Sequence, residues 1–249
     1  MTEAHVAKSL TRRIDPARKM LHVLGVSDAD VAGKRWTVDR IAVIALRVRK
    51  LAVLARYVDT HTWNPAILDQ MRADAAWVAD QSRFHERVLA RVMRAAPVVP
   101  VRFFTAYDSA QGFDRAAREN YQRWRRSLAR LRGKYEWRLR VYHGPHAAPS
   151  TQPYALLAAS PGARPQSVHV APHVADHLIR LWKCCGALAT AARSIDCTLE
   201  PQRSFEAVFL LSADGTPKFH EALIRWAASA KPLGLTYYVE GPRPPFTFA

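Results

Sequence analysis

The sequence predicts an α+β fold in two domains with long amphipathic helices. Short Val- and Ile-rich runs read as strands at the start of the chain and again in its second half. Between them lie long segments whose apolar residues recur every three or four positions, the spacing of a helix with one buried face. With 249 residues, 49% of them apolar, the chain can build two cores of ordinary size. We divide it into a basic arm (1–19), an N-terminal α+β domain (20–133) and a C-terminal α+β domain with a Pro/aromatic tail (134–249).

Arg12, Arg13, Arg18 and Lys19 make the first residues an arm rather than a packed element. Residues 20–26 are a short apolar run punctuated by Gly and Ser, a strand. Residues 36–46 and 50–58 read as two further strands with 47–50 turning between them, although their alanines also permit helix. At Asn64-Pro65 a side-chain oxygen can cap a helix and proline fits its first position. The helical stretch runs, with room for a break, to about residue 96. Trp77, Phe84, Val88 and Val92 keep helical spacing, and Arg83, Arg87, Arg91 and Arg94 lie off that stripe. Pro97 stops it. Residues 98–104 are β-rich, but Pro100 restricts them to an edge strand or to a strand beginning after it.

The clearest helix follows. Phe113, Ala117, Tyr121, Trp124, Leu128 and Leu131 form one continuous apolar stripe, and Gly133 is suited to the left-handed residue that ends a helix. Residues 115–140 hold ten cations against two acids, so the outer face of this helix is basic and includes Arg118 and Arg125. Residues 135–142 alternate as a strand. Residues 143–172 are a Pro/Ala/Ser-rich loop with a short helix at 154–159. A helix is predicted over 172–193, a strand over 205–211, a turn at 212–215, a helix over 217–230 with Phe219, Leu223 and Trp226 on one face, and a last strand over 235–239.

The chain closes on Gly241-Pro242-Arg243-Pro244-Pro245-Phe246-Thr247-Phe248-Ala249. Prolines fix φ and remove backbone donors, so the segment should run extended, close to polyproline II, with Phe246 and Phe248 on one side. A stiff terminus with two aromatics docks, either on its own domain or on a partner.

The net charge is +16 and the isoelectric point near 10.4. Such a field attracts acidic protein surfaces or polyanions. A solvated basic surface ranks first, acidic protein partners second and nucleic acid third, because the excess of arginine over lysine together with abundant alanine also arises from GC-rich coding. Tyr121-Gln122-Arg123-Trp124-Arg125-Arg126 interleaves aromatic and basic residues, but both aromatics sit on the apolar stripe and belong to a core. Three cysteines, two of them adjacent, do not make a disulfide framework, and a reducing cytoplasm is expected. No apolar run reaches the ~18 residues of a membrane helix, and the start lacks the apolar stretch of a secretory signal.

The nucleotide and hydrolase fingerprints are absent: no G-x-x-x-x-G-K-[ST], no G-x-G-x-x-G, no G-x-S-x-G. No cofactor and no catalytic residue is assigned. His173 and His177 would share a helical face, with Cys184 seven residues further along it, and His169 just outside the helix. These are weak metal candidates, set against surface histidines and a packed thiol. His220-Glu221 lacks the second histidine of a zinc protease, since that position is Ile224. Asp69, Asp74 and Asp80 show no partner pattern.

Several segments together resemble the gas vesicle synthesis family GvpL/GvpF. His85-Glu86-Arg87-Val88-Leu89, followed by Ala96-Pro97-Val98-Val99-Pro100-Val101-Arg102-Phe103, is similar to the family's helix leading into "P-V-x-P-x-R-F-G-T". Here Phe104 stands in place of the glycine and Thr105 is kept. Leu131-Arg132-Gly133-Lys134-Tyr135-Glu136-Trp137-Arg138-Leu139-Arg140-Val141 is similar to "L-x-G-x-x-E-W-x-(V/L)-K-V". The last strand, helix and strand end on a version of "G-P-W-P-P-Y-S-F", with Arg243 for Trp and Phe246 for Tyr. Leu21-His22-Val23-Leu24-Gly25 echoes the "Y-x-Y-G" strand.

The resemblance implies two α+β domains, the C-terminal one ferredoxin-like. It implies a non-enzymatic, cytoplasmic accessory protein of gas vesicles, which are hollow protein shells, acting in assembly through contact with the small hydrophobic shell protein and other accessory proteins. The partner-binding candidates are then Arg243, Phe246, Phe248, Arg118 and Arg125. The alternatives are a basic nucleic-acid-associated protein on the same fold and a metal-binding derivative centred on His173, His177 and Cys184.

Overall fold

In a computed structural model, the structure describes residues 19–143, 172–195 and 203–249. The basic arm up to residue 18, the 154–159 helix with most of its loop, and His169 lie outside the described residues. The fold is α+β. The chain splits into two compact units, with the change at Arg132–Gly133.

The first unit holds a six-stranded antiparallel sheet ordered β2-β3-β4-β1-β5, with β6 also pairing β1. Its strands are β1 (Lys19–Asp28), β2 (Arg35–Val38), β3 (Ile41–Val48), β4 (Leu51–Asp59), β5 (Val98–Pro100) and β6 (Ala106–Tyr107). The 36–46 run is not one strand. Asp39 and Arg40 both take positive φ (50° and 63°) and turn the chain between β2 and β3. Two consecutive left-handed residues make the tight hairpin turn that matches strand twist, but Asp-Arg lacks the Asn-Gly signature that advertises it. A second reversal, at Arg49-Lys50, joins β3 to β4, with Arg49 at φ 53°.

After β4 come α1 (Thr60–Trp63), α2 (Pro65–Met71) and α3 (Ala75–Met93). Asn64 accepts from the Ile67 amide at 3.0 Å to cap α2. The break in the predicted long helix falls at Asp74, whose carboxylate accepts from the amides of Ala76 and Trp77 and starts α3. Phe84, Val88 and Val92 are buried while Arg83, Arg87, Arg91 and Arg94 face solvent, as the periodicity predicts. β5 is an edge strand that ends on Pro100; no strand begins after that proline until β6. α4 (Ala110–Leu131) buries the whole predicted stripe and stops before Gly133, at φ 67°.

The second unit runs β7 (Lys134–His143), α5 (Pro172–Leu188), β8 (Ala191–Ile195), β9 (Arg203–Ser212), α6 (Gly215–Ala230) and β10 (Leu235–Arg243). Its four-stranded sheet is antiparallel and ordered β10-β7-β9-β8. Trp137, Leu139 and Val141 of β7 and Ala207, Phe209 and Leu211 of β9 face α5 and α6 across one core. The helix predicted over 172–193 ends at Leu188, and 191–195 is a strand. The Ala-rich segment carries no β-branched run to announce it. Pairing against β9 overrides local propensity, beginning where the Thr190 amide donates to Leu210 O at 2.8 Å.

The tail departs from the extended peg. Strand pairing continues to Arg243, opposite Glu136, and Phe246–Phe248 closes into a 3₁₀ turn.

Candidate functional site

The segments that carry the family resemblance meet in pairs inside the units. In the first unit, β1 slips register against β4 at Leu24. Such a bulge turns a carbonyl away from its ladder. Leu24 O accepts from the Val101 amide at 3.1 Å and from His85 Nε2, which must therefore carry that ring's proton. Beside it, a Cβ on Gly25 would lie 2.7 Å from Leu89 Cδ2 and 3.0 Å from Val99 O. Glycine is required there so that α3 and β5 can close on β1. The echo of the N-terminal strand, the His85–Leu89 segment and the proline-bracketed strand are thus one packing joint.

A buried cation sits next to this joint. Arg56, 5% exposed, donates through Nε to His22 Nδ1 at 3.2 Å and through Nη2 to Gln81 Oε1 at 2.6 Å. Its guanidinium lies over the Phe84 ring at 4.3 Å and over Trp63 at 5.2 Å. Burial pulls the Arg56 pKa down to about 10. His22, 1% exposed, is held well below the usual histidine range by burial, with Arg56 and His85 adding repulsion. Burial also takes His85 down to about 4, against the opposing pull of its bond to Leu24 O. Both rings are neutral at physiological pH. His22 Nε2 has no hydrogen-bond partner among the described residues. Sequence reading missed this cluster; a lone arginine inside the apolar run 51–58 was its visible signal.

Phe104, where the resembled motif has glycine, takes φ 64°. A left-handed non-glycine residue is strained, and here the ring supplies compensation. It stacks on Trp77 (5.2 Å, 7° between planes), lies 5.8 Å from Trp63 and 4.0 Å from Phe103, and has Arg72 over its ring at 5.6 Å.

In the second unit the Glu136-Trp137 motif receives the tail. Glu136 is fully buried, and its Oε2 accepts from the Thr247 amide at 2.7 Å. Burial raises its pKa, which the Thr247 hydrogen bonds, Arg243 and Arg138 oppose. A Cβ on Gly241 would sit 2.6 Å from the Trp137 ring. Arg243, 6% exposed, pairs with Glu240 at 3.0 Å. Phe248 is 4% exposed with Arg193 over its ring, and Phe246 is half-buried. Of the tail candidates, then, Arg243 and Phe248 are buried within their own unit and only Phe246 keeps a solvent-facing part. The same face of the sheet buries Glu206, which pairs with Arg138 at 3.0 Å, Arg140 at 3.5 Å and Arg203.

Arg118 and Arg125 are exposed on the outer side of α4. His173 and Cys184 are exposed on α5, while His177 Nδ1 accepts from Arg180 Nη2 at 3.1 Å. Among the described residues no group of three or more His, Cys, Asp or Glu could hold a metal. Burial pushes the neighbouring Cys185 thiol up to about 12, which makes it a packed apolar group. His220 packs edge-on against Trp137 at 4.7 Å, and Glu221 pairs with Arg225, so neither shares a site with the other.

The chain is similar along its length to two solved structures. One is the crystal structure of gas vesicle protein GvpF from Microcystis aeruginosa, with TM-score 0.62 and 13% identity over 92% of this chain and 98% of that one. The other is that of the gas vesicle protein GvpF from Anabaena sp. PCC7120, with TM-score 0.64 and 13% identity over 93% and 98%. Identity this low shows a shared fold. Gas vesicle protein L of Streptomyces sp. (strain CB03234) is 30% identical over 103 residues, and the match spans 41% of this chain and 39% of that relative's length. The family profile described as gas vesicle synthesis protein GvpL/GvpF matches residues 21–177, more than half of the chain, and the chain belongs to that family.

Proposed function

We propose that this protein is a non-enzymatic accessory of gas vesicles, acting in their assembly or organisation by binding the hydrophobic shell protein and other accessory proteins. Family membership carries the reading. The placement of the motif residues supports it: they serve as packing joints inside the units rather than as a cleft with reactive groups. Among the described residues no helix is long and apolar enough to cross a membrane. We place the protein in the cytoplasm, at the vesicle.

The two units correspond in this reading to domains 20–133 and 134–249. The second is ferredoxin-like, supported by its strand–helix–strand–strand–helix–strand order and by a sheet in which the first and third strands are central. Phe246 is the proposed contact residue for the shell protein, with Arg243 and Phe248 holding the tail in place behind it, and Arg118 and Arg125 are proposed for the accessory partners.

The test is co-expression of the tagged full-length chain with the shell protein, followed by affinity capture at moderate salt. Shell protein should be retained, and Phe246→Ala should lower retention without changing the circular dichroism spectrum. Equal retention by an unrelated protein of the same net charge would contradict specific binding.

A further inference from the structure

Among the described residues, some outward arginines are held in ion pairs and others are not. On α3, Arg83 pairs with Asp80, and Arg87 holds Asp39 with Nη2 at 2.5 Å. On α4 the sequence has six arginines and two acids, Asp114 and Glu119. Arg115, Arg118, Arg123, Arg125 and Arg126 are all exposed, and none has a carboxylate within ion-pair distance among the described residues, although Arg118 feels the charge of Asp114 one turn before it. At 100° per residue Arg115 and Arg126 fall opposite the buried stripe of Phe113, Ala117, Tyr121, Trp124 and Leu128, with Arg118 and Arg125 flanking them on one side and Arg123 on the other. From Arg115 to Arg126 the cationic face runs for about 17 Å at the rise of an α-helix.

The rest of the chain cannot neutralise this face. Outside the described residues the sequence offers four carboxylates (Glu3, Asp15, Asp196, Glu200) against five cations (Lys8, Arg12, Arg13, Arg18, Arg164). A second copy brings the same net charge of +16. The occupant must come from elsewhere and be anionic. The two aromatics of α4 that could stack bases, Tyr121 and Trp124, are buried, so the face lacks the platform of a single-strand nucleic-acid binder. Every cation on α4 is arginine, whose planar fork matches carboxylates two bonds at a time.

We infer that the outer face of α4 is a docking surface for an acidic polypeptide segment of a partner protein, read chiefly by Arg118, Arg125 and their neighbours Arg115 and Arg126. This contact is electrostatic and separate from any contact with an apolar shell surface. It therefore stands or falls independently of shell binding.

The experiment measures fluorescence anisotropy of a labelled poly-L-glutamate peptide of about twelve residues, as many as the basic face spans, against the full-length protein. A short DNA duplex serves as competitor. Arg118→Glu/Arg125→Glu is compared with the charge-matched Arg91→Glu/Arg94→Glu, exposed at the C-terminal end of α3. All four side chains are exposed, and circular dichroism confirms that both variants fold. The α4 variant should raise the peptide Kd about tenfold, while the α3 variant stays within about twofold. Equal weakening by both variants would overturn the inference in favour of diffuse attraction. So would a duplex that displaces the peptide and loses more affinity than the peptide does in the α4 variant, because the occupant would then be nucleic acid.

Discussion

Phe104 and His85 show how single side chains hold this fold in unusual local states. Phe104 sits at φ 64°, where glycine is unstrained, and is retained by its aromatic neighbours. Phe104→Ala keeps the backbone strain and loses the ring; Phe104→Gly loses the ring and releases the strain. The glycine variant should be the more stable of the two by about 1 kcal/mol in urea denaturation, and the reverse order would show that the positive φ costs nothing. His85 is buried neutral, with its pKa lowered to about 4. A depressed folded pKa means the unfolded chain takes up the proton first, so stability is complete above pH ~6.5 and falls as pH drops toward 4. The size is on the order of 3 kcal/mol for His85 alone, and His22 shifts in the same direction. His85→Gln can still donate to Leu24 O but cannot titrate. Its urea midpoint should fall less than that of the wild type across this pH window, and parallel profiles would remove His85 as the cause.

The helices and the tail differ in how plainly the sequence announces them. α4 was legible because its core stripe and the glycine just past its end point to the same element. The joint between β2 and β3 was not, because its left-handed turn uses Asp39 and Arg40 rather than Asn-Gly. β8 was hidden because Ala191–Ile195 is a strand only by virtue of its partner. The tail was half legible. Its prolines exclude helix, yet its end is fixed by a residue more than a hundred positions away, the Glu136 carboxylate on the Thr247 amide. Ending the chain after Arg243 removes that donor from a buried carboxylate and uncovers the site of Phe248. The expected loss is about 2–4 kcal/mol, seen as a lower urea midpoint and loss of near-ultraviolet signal. An unchanged midpoint would mean that the tail is not part of the second unit.

For the whole molecule, the same motifs that reveal the family also explain why function cannot be read from them. Gly25, His85, Pro100, Glu136, Trp137 and Gly241 build joints between elements within each unit. The candidate contact residues lie elsewhere, on the exposed arginines of α4 and at Phe246, and only their residue type and helical phase were visible in the sequence. The buried Arg56–His22 pair and the pairing of Arg138 and Arg140 with Glu206 needed three dimensions, since their partners are far apart along the chain. The most direct measurement of the proposed role is made in cells carrying a gas vesicle gene set in which this chain is the family member supplied. Turbidity that collapses under hydrostatic pressure reports intact vesicles. The role proposed here predicts that this signal is lost when the chain is deleted and restored by the wild-type sequence; full pressure-sensitive turbidity without the chain would contradict it.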